Sequence, residues 1–205
     1  MSCTSVCGIR QKGKNMQKVL SNEIRKVALS MFRKNFFGIF HGSISAKIKE
    51  NQFLINKKDA IFDELNDNDF IALYLKEDYR YNDASIDAGI HQHIYQNISQ
   101  AKYISYSMPP FVTSYALVYD KIIPKDYFGK KFLEEIKVYD PKKFSDWYDR
   151  AEYEIYKYFK KTSKNIIVIR GYGVYTYDRD INQMAKNIAI LENSCKLLFR
   201  SKLLL

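Results

Sequence analysis

The sequence predicts an α/β domain, and three observations predict it. Stripes of apolar residues at helical spacing recur over 17–34, 144–161 and 180–198. Between them, 103–108 alternates with a period of two and 165–170 is a short β-branched run, the patterns of a strand and of a fully buried strand. The chain has 205 residues, of which 46% are hydrophobic, enough for one domain with a sizeable core.

The elements follow in chain order. Val19, Leu20, Ile24, Val27, Ala28, Met31 and Phe32 make one apolar stripe, which predicts an amphipathic helix from Gln17 to Lys34. Phe36 to Ile48 turns strand-like, and Glu50-Asn51 turns it into Gln52 to Asn56, so a hairpin is expected. A short helix over Ala60 to Leu65 and a strand over Phe70 to Leu75 flank the turn residues Asn66 to Asp69.

The segment from Asp83 to Met108 is a helix followed by a strand. Ala88, Ile90, Ile94 and Tyr95 recur at rough helical spacing, and Asp87 and His91, four apart, share a helix face. Pro109 and Pro110 suit the first turn of a further helix through Leu117. Val118 to Phe128 reads as a connection and Phe132 to Tyr139 as an extended piece. The helix from Phe144 carries Trp147, Ala151, Ile155, Tyr158 and Phe159 on one side, and the last helix has Asp178 and Asp180 as candidate caps.

Bulk properties exclude several function classes. No run of about eighteen apolar residues occurs, so no membrane span is expected. The opening MSCTSVCGIRQKGKNM lacks the apolar core of a secretory signal, which sets a cytoplasmic expectation. Residues 1–15 read as a polar tail ahead of a domain over 16–205. Cys3, Cys7 and Cys195 are odd in number, without metal-ligand spacing, and read as free thiols. The formal charge of +10 raises nucleic acid as a partner, but the lysine pairs are spread along the chain among acidic residues. No nucleic-acid-binding signature accompanies them, so a solvated basic surface is expected instead.

Gly42-Ser43-Ile44-Ser45, then Ala84 to Asp87 with His91 and Tyr95, then Tyr106 and Met108, then Gly171-Tyr172-Gly173-Val174 come in an order and at intervals that resemble those of the class II aldolase and adducin head family, over about Gln17 to Leu198. The family's pattern Pro-Ser-Ser-Glu, three residues, His, three residues, Tyr is met by Ala84, Ser85, Ile86, Asp87, then His91 and Tyr95. Its His-x-His strand is met by Tyr106 and Met108. Gly42-Ser43-Ile44-Ser45 resembles its phosphate-contacting Gly-Asn-Ile-Ser, and Lys58-Asp59 falls near its Thr-Gly pair. Gly171-Tyr172-Gly173-Val174 resembles Asn-His-Gly-Val, and Leu191-Glu192 its closing helix.

The resemblance implies a three-layer α/β/α fold with a central, mostly antiparallel sheet, and homo-oligomers, tetramers among them. It also implies zinc held by three histidines, a carboxylate acid/base, and a small phosphorylated ligand. Here the three histidine positions are Tyr106, Met108 and Tyr172. A phenol with a pKa of about 10 must ionise before binding zinc well, and a thioether is a weak ligand for it, so no zinc is expected. Tyrosines and methionine are also larger and more apolar, so they are expected to fill the metal cavity.

Asp87 stands at the acid/base position, and Ser43 and Ser85 remain of the phosphate site. A relocated metal centre from His41, His91 and Asp87 is the other arrangement the residues offer. The expected function is thus a metal-free aldolase-fold protein acting as a binding or assembly module. The rival is an aldolase or epimerase on a small sugar phosphate, with Asp87 as acid/base and Tyr106 or Tyr172 as proton donor or oxyanion stabiliser. A third reading has the basic surface binding nucleic acid or an acidic partner.

Overall fold

The computed structural model describes residues 4–204, with side chains for residues 15–204. In chain order the described elements are α1 (Thr4–Arg33), β1 (Ser43–Lys49), β2 (Gln52–Asn56), β3 (Phe70–Tyr74), α2 (Ala88–Asn97), β4 (Tyr103–Ser107), α3 (Pro110–Val118), β5 (Lys121–Ile122), α4 (Tyr127–Phe132), β6 (Ile136–Tyr139), α5 (Trp147–Thr162), β7 (Ile166–Ile169), β8 (Gly173–Asp178) and α6 (Ile181–Lys202). The strands form one sheet in the order β3-β2-β1-β4-β8-β7-β6-β5. Every pairing is antiparallel except β6 with β7.

The three layers follow from strand alternation. On β8, Tyr175 and Tyr177 join the core under α2 and α5, whereas Val174 joins the core under α3 and α6. Ile44 and Ala46 of β1 pack under α1 and α6. Helical periodicity meets these faces. On α5, Trp147, Ala151, Ile155 and Phe159 recur every four residues and are all at most 1% exposed. Fully burying a side chain such as Ile155 is worth about 1.5–3 kcal/mol. The helix stops at Ser163, whose backbone is left-handed with φ 53°.

Several elements differ from expectation. α1 begins at Thr4, so it takes in most of the stretch expected as a polar tail. Strand β1 begins only at Ser43: Asn35 at φ 60° ends the helical run, and Phe36 and Phe37 are buried in turns before Gly42 at φ 135°. A Cβ on Gly42 would lie 2.5 Å from the Phe37 ring, so that small residue accommodates an aromatic side chain of this same chain. Ala60 to Leu65 forms turns, with Ala60, Phe62 and Leu65 buried without a helix. The connection after Val118 contains β5 and leads into α4. No helix among the described residues is long and apolar enough to cross a membrane.

Candidate functional site

The site is built where the start of α2 meets β1, β4 and β8. Asp87 occupies the N-cap position of α2 but makes no capping bond with its side chain. Its carboxyl is buried, 2% exposed, and accepts a hydrogen bond from Tyr175 Oη at 2.7 Å. Ser85, also buried, accepts the Asp87 N–H at 3.4 Å. Burial raises the Asp87 pKa above the ordinary carboxylate value, and the hydroxyls of Tyr175 and Ser43 act in the opposite direction.

Tyr175 reaches Asp87 because period two on β8 sends it toward α2, and antiparallel register sets it opposite Tyr106 of β4. The two rings stack with centroids 4.8 Å apart. Tyr172, in the turn before β8, packs its ring 4.9 Å from Tyr106. The Tyr106 hydroxyl donates to the Tyr172 carbonyl at 2.9 Å, and the Tyr172 hydroxyl donates to Tyr148 Oη at 2.9 Å. Trp147 meets Tyr172 edge-on at 5.8 Å. Gly173 permits this packing: a Cβ there would lie 2.6 Å from the Ser107 carbonyl oxygen and 2.7 Å from Tyr106 Cε2.

Burial pushes the phenols of Tyr106, Tyr172 and Tyr175 well above their ordinary pKa, and the Asp87 charge pushes them further. They are neutral donors at physiological pH. Met108 lies just past β4, 36% exposed, with its N–H bonded to the Phe36 carbonyl.

Behind Asp87 lies a second polar group. His91, fully buried on the same helix face, has Nε2 at 2.9 Å from Ser43 Oγ and Nδ1 at 2.7 Å from Ser45 Oγ. Ser45 Oγ is also 2.8 Å from Tyr95 Oη. Burial pushes the His91 pKa down to about 3, so the ring is neutral. Both ring nitrogens are engaged by β1, whereas His41 is exposed. Lys58 donates to the Asn82 carbonyl at 2.9 Å.

Among the sequence candidates, the structure gathers Asp87, Ser43, Ser85, Tyr106 and Tyr172, whereas Met108, expected to help fill the metal cavity, is partly exposed just past β4. Among the described residues, no group of three or more His, Cys, Asp or Glu is arranged to hold a metal ion. Sequence reasoning missed Tyr175 as the partner of Asp87, although alternation counted from Gly173 gives its side. It also missed Tyr148, which only the docking of α5 on the Tyr172 turn brings in, and the link from Ser43 and Ser45 to His91.

The model of the Class II Aldolase and Adducin N-terminal domain matches residues 22–199. Among solved structures, the fold is similar to that of L-fuculose-1-phosphate aldolase from Thermus thermophilus, with a TM-score of 0.80 and 19% identity over 90% of this chain and 94% of that one. It is also similar to YgbL from Klebsiella pneumoniae, with a TM-score of 0.75 and 16% identity over 90% of each chain. A third is a sugar-phosphate aldolase from Thermotoga maritima, with a TM-score of 0.72 and 16% identity over 91% of this chain and 96% of that one. No curated protein matches the sequence. At these identities the structural likeness carries the fold alone.

Proposed function

The chain belongs to the Class II Aldolase and Adducin N-terminal domain family, and from that membership we propose that it has lost zinc-dependent carbon–carbon cleavage and serves as a non-catalytic binding or assembly module. One observation carries this reading: Tyr106 and Tyr172, at two of the three ancestral ligand positions, close on each other, with the Tyr106 hydroxyl donating to the Tyr172 carbonyl.

The donor set does not fit zinc. A zinc ion takes neutral imidazole, thiolate and carboxylate donors. Here it would meet two phenols held neutral by burial and one partly exposed thioether. Asp87 keeps the acid/base position, yet at 2% exposure it is sealed from substrate by the tyrosine rings. Ser43 is fully buried and engaged with His91, which removes it from phosphate recognition.

The assembly part of the proposal is a homo-oligomer, tetramer included. Leu117, Val118, Ile123, Tyr127 and Phe128 are exposed large apolar residues along one connected segment, which favours a second copy of the chain as its cover. Any ligand kept from the family's small phosphorylated class is held without Ser43, and the compartment proposed is the cytoplasm.

A second reading keeps an enzyme, an aldolase or epimerase on a small sugar phosphate. The observation that favours it is the Tyr175–Asp87 hydrogen bond, a buried acid beside a phenol. Cleavage of L-fuculose 1-phosphate, assayed with added zinc and with chelator, separates the two. The proposal expects no cleavage under either condition. Chelator-sensitive cleavage overturns it in favour of zinc chemistry, and chelator-resistant cleavage lost in Asp87→Asn overturns it in favour of the second reading.

A further inference from the structure

The sheet divides the helices into layers that differ in charge. On one side, α3, α4 and α6 carry six cations, Lys130, Lys131, Lys186, Lys196, Arg200 and Lys202, against one acid, Glu192. That acid is 9% exposed and accepts from the N–H groups of Phe111 and Val112. On the other side, α2 carries no Lys, Arg, Asp or Glu, and α5 sets four cations against three acids.

The ion pairs among the described residues include none of the six cations. Four of the lysines lie instead against aromatic rings. Lys131 Nζ is 5.5 Å from the ring centroids of Tyr127 and Phe132, and Lys186 Nζ is 5.0 Å from that of Phe132. Lys196 Nζ is 5.8 Å from the Phe111 centroid, and Lys202 Nζ is 5.5 Å from that of Tyr115 and 3.8 Å from that of Tyr119. A ring attracts a cation without cancelling its charge, so this layer presents a positive potential.

The end of α6 adds exposed apolar groups to that charge. Leu191, Cys195 and Leu198 recur at i, i+4 and i+7 and join the core. Lys196 and Arg200, with Leu203 and Leu204 in the turn that ends the helix, lie on the outer side. Leu197, Phe199, Leu203 and Leu204 are 46–87% exposed, and Phe199 packs on Phe111 of α3 with centroids 5.8 Å apart.

We propose that this surface docks on an anionic lipid surface. Lys196, Arg200 and Lys202 meet the headgroups, and the three leucines and Phe199 enter the boundary beneath them. Cations interleaved with leucine and phenylalanine on the outside of a helix suit a membrane interface, which conforms to side chains at any spacing. A two-fold contact of this surface with itself would set cation against cation. Single-stranded nucleic acid needs open ring faces to stack its bases. Here the most exposed apolar groups are leucines, and lysines lie over Phe111, Tyr115 and Tyr119. The second copy proposed as the cover of Leu117 to Phe128 uses other residues, and the docking holds whether or not the site around Asp87 turns over a substrate.

Co-sedimentation of the full chain with vesicles tests it, using phosphatidylcholine alone and phosphatidylcholine mixed with phosphatidylglycerol. The expected result is binding to the mixed vesicles only, weakening as salt rises. Lys196→Gln with Arg200→Gln lowers the affinity about thirty-fold, and Leu203→Ser with Leu204→Ser lowers it at every salt concentration. Lys160→Gln with Lys161→Gln, at exposed positions of α5, changes the net charge equally and leaves the affinity within about twofold. Four results overturn the proposal: no binding to the mixed vesicles, leucine substitutions without effect, an equal loss in the α5 pair, or a single-stranded oligonucleotide that binds more tightly and displaces the vesicles. If the α6 charge variant does not fold, the leucine pair beyond α6 and the α5 pair decide alone.

Discussion

Tyr175→Phe removes one oxygen from the centre of the site and leaves the ring stack with Tyr106 in place. The lost bond is the 2.7 Å donation to Asp87, between two buried groups. A hydrogen bond to a charged group contributes about 1.5–3 kcal/mol, and removing the donor strands the carboxylate. The cost therefore depends on whether Asp87 is ionised, which fixes its pH dependence.

The sign follows from the direction of the shift. The folded pKa of Asp87 lies above the unfolded value, because burial outweighs the hydroxyls of Tyr175 and Ser43. Its contribution to stability is fully present below the unfolded carboxylate pKa and is lost as pH rises through the folded one. Without Tyr175 Oη the folded pKa rises further, because the ionised carboxyl loses a donor that favours it. The variant therefore lies closest to wild type in acid and falls behind progressively above it. Urea unfolding of both proteins over a pH series, followed by the single, buried Trp147 and by circular dichroism, measures the gap. A gap that is constant with pH, or below about 0.5 kcal/mol throughout, refutes this account of Asp87.

Gly173→Ala forces a Cβ to within 2.6 Å of the Ser107 carbonyl oxygen, a backbone atom that cannot step aside. Overpacking of this kind costs about 1–3 kcal/mol, read as a melting temperature lowered by about 2–4 °C per kcal/mol for a chain of this size. Glu192→Ala removes the carboxylate that accepts from the Phe111 and Val112 N–H groups at the start of α3, at 3.0–3.1 Å, and a loss of about 1–2 kcal/mol is expected in the same unfolding assay. For self-association, light scattering is expected to give a multiple of the 24.2 kDa chain mass, reduced toward a monomer in Val118→Lys. A wild-type monomer contradicts the assembly proposal.

Most of the fold is legible in the sequence because its signals are local and periodic. The stripe of Trp147, Ala151, Ile155 and Phe159 and the run Ile166 to Ile169 appear as a helix and a strand close to their read bounds. The failures have physical causes. Ala60, Phe62 and Leu65 have the composition of a short buried helix, yet they enter the core from turns, where tertiary packing overrides a weak local preference. Likewise β5 is two residues long, too short to leave a pattern.

The site is legible in part, for a related reason. Asp87, Ser43, Ser85, Tyr106 and Tyr172 stand out through motifs in the sequence. Tyr175 does not, because its role depends on a partner 88 residues away, across the register of β4 with β8. A helix cap or a surface charge is the ordinary role for an acid in the place of Asp87, yet its side chain makes no capping bond and is buried. Where the sequence predicts only that larger groups fill the place of the histidines, the structure has a ring stack and the hydroxyl bonds of Tyr106 and Tyr172.

Elemental analysis of the protein, purified without chelator and dialysed against buffer containing zinc and then against metal-free buffer, tests the central claim most directly. The account predicts far less than one zinc per chain and no shift of the melting temperature on adding chelator. One zinc per chain, retained through dialysis and lost in Asp87→Ala, contradicts it.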